Sequence, residues 1–197
     1  MRILIVFCHP YEQSFNAALF ECARKSLSEA SHELRTIDLY REGFDPVMQR
    51  SEWLNYFGDA EKNIDAVRDH VDAVRWAEGL VLVYPTWIYG PPSMLKGWIE
   101  RVWLPGVAFD APEGPNQRLV GRLRNIRFFV AITTGGSPRW WTWFLFNPGF
   151  NALLRGHKPL FHRNCRMEWL QLYDMDHQPT EARTRFLRKV EKRLKTL

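Results

Sequence analysis

Arg2-Ile3-Leu4-Ile5-Val6-Phe7, then Cys8-His9-Pro10-Tyr11-Glu12-Gln13-Ser14-Phe15-Asn16, then Ala17-Ala18-Leu19: this opening decides the fold. An unbroken apolar run from Ile3 to Phe7 reads as a strand covered on both faces. The polar stretch after it is a loop, and Ser14 ahead of an apolar-periodic segment signals a helix start. Such a strand–loop–helix unit begins an open α/β sheet. There an anionic cofactor docks at the carboxyl end of the first strand, against the N-terminus of the first helix. The glycine fingerprint of the usual dinucleotide site is absent. The residues favour a hydroxyl- and amide-lined phosphate loop instead. Ser14, Asn16 and His9 would be its side-chain donors, with the backbone N–H groups of Phe15–Ala17 beside them. Plain helix capping is the competing reading for Ser14 and Asn16.

The same unit recurs along the chain. A helix is expected over 15–29, its inner face given by Leu19, Cys22, Ala23 and Leu27. A strand over 33–38, a less regular stretch over 41–62 and a helix over 63–76 follow. The strand over 79–84 is a continuous apolar run, as a central parallel strand requires. Pro85–Pro92 is a loop, 93–103 a helix stopped by Pro105, and 105–124 an excursion rich in glycine, proline and charge. A strand over 125–133 leads into Thr134-Gly135-Gly136-Ser137. The aromatic stretch 139–147 resists assignment. Helices over 148–154 and 159–166, a strand over 168–173 and a helix over 179–195 complete the chain. Five alternations give one domain over 1–197, a three-layer α/β sandwich with a five-stranded parallel sheet in the order 2-1-3-4-5. That order gathers the loops at 8–16, 85–92 and 133–137 around one crevice.

Composition narrows the function. With 197 residues and a formal charge of +5, the chain can bury one good core. No apolar run reaches the length of a membrane span, and no cleavable leader is evident, so a cytoplasmic protein without an integral membrane segment is expected. The basic residues near the C-terminus read as a solvated helix face, and nothing points to nucleic acid. Cys8, Cys22 and Cys165 show neither metal-ligand nor disulfide spacing, and Cys8 reads as a packed small residue. Several of the nine tryptophans flank loops, as rings of an aromatic pocket or a subunit interface would.

The loops carry the candidate chemistry. Thr86, Trp87, Ile88 and Tyr89 combine flat rings with sharply turning backbone, suited to lying against a planar ligand. Thr133, Thr134, Gly135 and Gly136 leave a strand directly, and the glycines let backbone approach a ligand. No carboxylate pair, nucleophile triad or metal cluster stands out, and no residue is assigned a catalytic role. Glu100 and Arg101 read as a structural or interface pair. This pattern fits chemistry done by a cofactor that the protein positions.

Together these residues resemble the flavodoxin-like NAD(P)H dehydrogenase (quinone) family, which includes mammalian DT-diaphorase and bacterial potassium-efflux ancillary oxidoreductases. The opening with His9 and Ser14-Phe15-Asn16, the block Gly90-Pro91-Pro92-Ser93-Met94-Leu95-Lys96-Gly97-Trp98-Ile99-Glu100-Arg101-Val102, and Thr133-Thr134-Gly135-Gly136-Ser137 carry the likeness. The resemblance implies that His9, Ser14, Phe15 and Asn16 hold flavin phosphates. Thr86, Trp87, Ile88 and Tyr89 would sit beside the isoalloxazine, and Thr133, Thr134, Gly135 and Gly136 at its polar edge. It also implies FMN or FAD, with FMN slightly favoured, NADH or NADPH as hydride donor, a quinone or similar planar acceptor, and a homodimer. An alternative is a flavin-binding electron carrier or regulatory protein, ancillary to a potassium-efflux system. One departure stands out: where mammalian members place a tyrosine and a histidine, this chain has Trp141 and Asn147.

Overall fold

The structure, a computed structural model, describes residues 1–112, 114 and 118–197. Five strands form the main sheet: β1 (Arg2–Phe7), β2 (Glu33–Asp38), β3 (Gly79–Thr86), β6 (Phe128–Gly135) and β7 (Arg166–Leu172). They run parallel in the order β2-β1-β3-β6-β7, the expected 2-1-3-4-5 arrangement. Two more strands, β4 (Phe109–Asp110) and β5 (Val120–Gly121), pair antiparallel as a short ribbon. The ribbon lies within the expected excursion loop, of which residues 113 and 115–117 fall outside the described residues.

Alternation along the central strands sorts the core into two layers. Ile3, Ile5, Phe7, Val81, Val83, Val130 and Ile132 face α1 (Phe15–Glu29) and α8 (Thr180–Leu194), which bring Leu19, Ala23, Leu27, Phe186, Val190 and Leu194. Leu4, Val6, Leu80, Leu82, Phe129 and Ala131 face the other side, covered by α4 (Arg68–Trp76) and α5 (Ser93–Val102) through Val71, Val74, Leu95, Trp98 and Val102. Among the basic side chains at the end of the chain, Arg193 of α8 is bound to Glu168, and Lys195, just past α8, to Glu29 and Glu191.

The structure differs from the sequence reading in several places. The stretch 41–62 contains α2 (Arg50–Asn55), at whose start Gln49 N–H donates to the Glu52 carboxylate at 2.6 Å. The helix expected over 63–76 is two, α3 (Ala60–Asp65) and α4, because the chain leaves helical geometry at Val67, where φ is −134°. β6 starts at Phe128 rather than 125. Asn125 is used as a cap, its amide donating to Val74 O at 3.0 Å and Ala77 O at 2.7 Å. The aromatic stretch forms α6 (Arg139–Phe144), and α7 (Pro148–Phe150) runs on into one π turn over Asn151–Arg155.

The helix expected over 159–166 does not form. Lys158–Leu160 is a single 3-10 turn, after which Phe161 bridges to Leu123 and stacks on Phe129 at 5.2 Å. His162 N–H then bonds to Ile126 O at 3.1 Å, and a turn closed by Cys165 N–H on His162 O at 2.8 Å leads into β7. Glu100 and Arg101 do not pair with each other. Glu100 meets Lys96, whereas Arg101 donates to Glu52 from Nε at 2.9 Å and Nη2 at 2.6 Å. Among the described residues no helix is long and apolar enough to cross a membrane.

Candidate active site

The carboxyl ends of β1, β3 and β6 frame a polar crevice of about 340 Å³. His9 and Ser14–Asn16 enter it from the first loop, Pro85–Trp87 from the second and Thr134–Gly136 from the third. Met175 and Asp176 close its rim, and neither was anticipated from sequence.

Each polar group at the crevice has a specific disposition. The Ser14 hydroxyl accepts the Ala17 N–H at 3.1 Å and so caps α1. The N–H groups of Phe15 and Asn16 find no acceptor among the described residues, and the first turn of α1 carries no acid. Two free donors at the positive end of a 15-residue helix make a cradle for an anion. His9 Nδ1 lies 3.0 Å from Tyr11 N and 3.1 Å from Tyr11 O: it accepts the N–H in one tautomer, which leaves the ring proton on Nε2, and donates to the carbonyl in the other. Burial holds His9 below the usual histidine value, partly offset by the Tyr11 carbonyl. Asn16 is 4% exposed. Its Nδ2 donates to Thr134 Oγ1 at 2.9 Å, while Oδ1 is buried without a partner.

The crevice continues into a second, mostly apolar cavity of about 510 Å³, and the two share Thr86, Trp87, Gly135 and Gly136. Strand register builds this cavity. Thr86 pairs with Gly135 and Thr133 with Gln171, so their side chains point to one sheet face. A Cβ on Gly135 would stand 2.8 Å from Gln171 Nε2, so the missing side chain is what admits that amide. Gln171 Oε1 accepts the Trp169 indole N–H at 2.9 Å. Gly149, Phe150, Thr142 and Asn147 close the far wall. Thr133 lines neither cavity: it is fully buried, one step deeper, with Oγ1 2.8 Å from Thr86 Oγ1.

The loop after β3 is strained. Trp87 and Gly90 exchange two backbone hydrogen bonds of 3.0 Å, forming a two-residue hairpin whose tip, Ile88 and Tyr89, has φ of +46° and +62°. Such tips normally use Asn-Gly, because a left-handed β-branched residue costs about 1–2 kcal/mol. Ile88 is 95% exposed and returns little through packing. Ile88→Asn is therefore expected to raise Tm by about 2–4 °C. A thermal melt with Tm unchanged or lower would show that the turn is not strained as described.

Asn147 lines this cavity, and Trp141 meets it through a lining residue, Tyr89. Trp141 Nε1 donates to Tyr89 Oη at 2.9 Å, and Asn147 lines the wall from a left-handed backbone with φ of +48°. Sequence reading missed Trp169, Gln171 and Asp176. The first two lie within the expected fifth strand, but only the register shows which of its faces meets the cavity.

The cysteines take no part. Cys8 is fully buried and its thiol is pushed up to about 12; burial likewise pushes Cys165 up to about 11. Cys22 is half-buried, and burial raises its thiol as well, so a thiol reagent at about pH 8 is expected to modify Cys22 slowly and the buried Cys8 and Cys165 not at all in the folded protein. Peptide mapping that found Cys8 labelled before unfolding would contradict this.

The family model Flavodoxin_2, described as a flavodoxin-like fold, matches residues 1–195. The chain is 28% identical to NAD(P)H dehydrogenase (quinone) 1 of Rattus norvegicus, over all of this chain and 77% of that protein. It is 30% identical to ribosyldihydronicotinamide dehydrogenase-like protein traD of Penicillium crustosum, over 69% of this chain and 58% of that one. Among solved structures, Smu.1420 from Streptococcus mutans superposes with a TM-score of 0.85 at 30% identity, with 100% of both chains covered. The NAD(P)H:quinone oxidoreductase from Methanothermobacter marburgensis gives 0.80 at 25%, with 99% and 98% covered.

Proposed function

The chain belongs to the flavodoxin-like fold family whose model spans residues 1–195, and from that membership we propose that it is a flavin-dependent NAD(P)H oxidoreductase reducing a quinone or similar planar acceptor. The observation that carries this reading is the join between a polar crevice at the start of α1 and an aromatic-walled cavity, through Thr86, Trp87, Gly135 and Gly136. A molecule with an anionic tail and a flat polycyclic head matches that shape.

The residues fit a flavin. The free N–H groups of Phe15 and Asn16 would hold its phosphate, joined by His9 in the tautomer that carries its proton on Nε2. The unpartnered Oδ1 of Asn16 would accept from a hydroxyl of its chain. Thr86 and the Gln171 amide would meet the polar edge of the ring, and Trp87 and Tyr89 would flank it. These donors suffice for one phosphate monoester, which favours FMN over FAD. When bound, the flavin supplies two-electron transfer from reduced nicotinamide to the acceptor. The chain itself orients the ring, walls it from water with Trp87, Phe150 and Trp169, and leaves one side open for the donor and acceptor in turn.

A second copy of this chain is the occupant we propose for the aromatic surface beside the cavity. There Trp140, Trp143, Phe144 and Phe146 are 67%, 72%, 62% and 81% exposed, more apolar surface in one place than a monomer ordinarily leaves in water. A monomer by sedimentation at micromolar concentration would overturn the dimer.

The test of function is an anaerobic absorbance titration of protein loaded separately with FMN and FAD. Bleaching of the flavin by NADH or NADPH, reversed by menadione, is the expected result and names the donor. Tight flavin binding without bleaching would instead identify an electron carrier.

A further inference from the structure

We propose that Tyr89 gives the acceptor its proton, and that Trp141 is the positioning residue that sets the direction of the phenol. The proposal deepens the reductase reading above and rests on it. The family likeness puts an indole where mammalian members have a phenol. In the structure a phenol from a different loop, the one after β3, lies against that indole, with Trp141 Nε1 2.9 Å from Tyr89 Oη.

The chemistry of the pair fixes its polarity. An indole nitrogen donates and never accepts. Tyr89 Oη must therefore accept the Trp141 bond, and its own proton is left for another partner in the cavity it lines. Among the described residues lining that cavity, Tyr89 is the one ionisable side chain; the others are hydroxyls, amides, glycines and apolar groups. Trp141 from α6 and Gly149 from α7 meet it directly, Ser137 and Asn147 line the same cavity, and none of the four titrates. The indole N–H of Trp141, which donates to the oxygen and favours its charged form, and then the hydroxyl of Ser137 hold the phenol below its ordinary value. The Trp141 bond also stabilises the phenolate left once the proton has gone.

The step balances. A quinone reduced to a hydroquinone gains two electrons and two hydrogens. Both electrons and one hydrogen come from NAD(P)H by way of the flavin. The second hydrogen is the proton that leaves Tyr89 Oη for a quinone oxygen, breaking one O–H bond and forming another. The phenolate regains a proton from water, since Tyr89 keeps 36% of its surface exposed. Its backbone is held in place for this: the carbonyl oxygen of Tyr89 would stand 3.2 Å from a Cβ on Gly149, a close approach that only the glycine leaves unhindered.

The experiment uses Tyr89→Phe and Trp141→Phe in the full chain. In flavin-free protein, the ultraviolet phenol titration of wild type minus that of Tyr89→Phe isolates one phenol. It is expected to titrate below the usual value of about 10 and to move upward in Trp141→Phe. In flavin-loaded protein, stopped-flow mixing separates bleaching by NAD(P)H from reoxidation by menadione. Reoxidation is expected to slow about 100-fold in Tyr89→Phe relative to bleaching of the same protein, with loss of the solvent isotope effect on that step. An unchanged reoxidation rate and isotope effect in Tyr89→Phe would overturn the proton-donor role while leaving the reductase reading intact. A phenol titration that ignores Trp141→Phe would overturn the positioning role. Wild-type protein that never bleaches would sink the reductase reading, and this proposal with it.

Discussion

Gly97→Ala is expected to destabilise the protein by about 3 kcal/mol and to lower Tm by about 6–12 °C. Alanine ordinarily strengthens a helix by about 1 kcal/mol over glycine, so local propensity predicts the opposite sign. Packing decides. A Cβ on Gly97 would stand 2.1 Å from Pro46 O and 2.5 Å from Pro46 Cβ. The obstacle is backbone, so no rotamer relieves it. Moving Pro46 also disturbs its neighbours: Arg101 donates to Asp45 O, lies 5.5 Å from the Phe44 ring and holds Glu52. The Arg101 and Glu52 side chains are only 9% and 12% exposed, so a displaced loop leaves a nearly buried guanidinium short of an acceptor. The glycine in the family-like block is thus a docking point between α5 and the segment ahead of α2. A melt within about 2 °C of wild type would show that Pro46 moves freely.

What was legible in the sequence, and what was not, has a physical pattern. The opening unit was readable because Ile3 to Phe7 are buried on both faces and Ser14 does cap α1. The sheet order followed from the alternation of elements alone. The stretch 139–147 was not readable, because no residue of α6 is buried and its aromatic rings show no contrast between inside and outside. The helix expected over 159–166 failed because Phe161 is drawn to Phe129, a partner distant in sequence that no local propensity reports. At the candidate site, the loops over 8–16, 85–92 and 133–137 were brought together as the sheet order requires. Thr133 shares the face of Gly135 but lies two residues further down the strand, below both cavities, a depth that sequence does not report. Gln171 and Asp176 stayed hidden because each is recruited by a close approach to a glycine, Gly135 and Gly136 respectively. Such approaches are set by tertiary contact.

The double substitution Asn16→Leu with Thr134→Val should separate binding from stability at the crevice. Both side chains are 4% exposed, and they bond to each other at 2.9 Å. Replacing two bonded polar partners by apolar groups of similar shape is nearly neutral. Here it also removes the unpartnered Asn16 Oδ1, a buried acceptor whose desolvation costs about 1–3 kcal/mol. The flavin-free variant is therefore expected to melt at or a few degrees above wild type. Flavin affinity is expected to fall about 100-fold, equivalent to about 2.7 kcal/mol, because the cofactor loses the amide that receives it. Ser14→Ala gives the contrasting signature: loss of the α1 cap lowers stability by about 1 kcal/mol before any flavin is added. Thermal melts and fluorescence titrations on both variants read the two quantities independently. Parallel loss of Tm and affinity in the double variant would make Asn16 a structural residue. Unchanged affinity would place the flavin elsewhere. Only a stable variant that binds weakly fits an amide left unsatisfied in the free protein for the sake of a ligand.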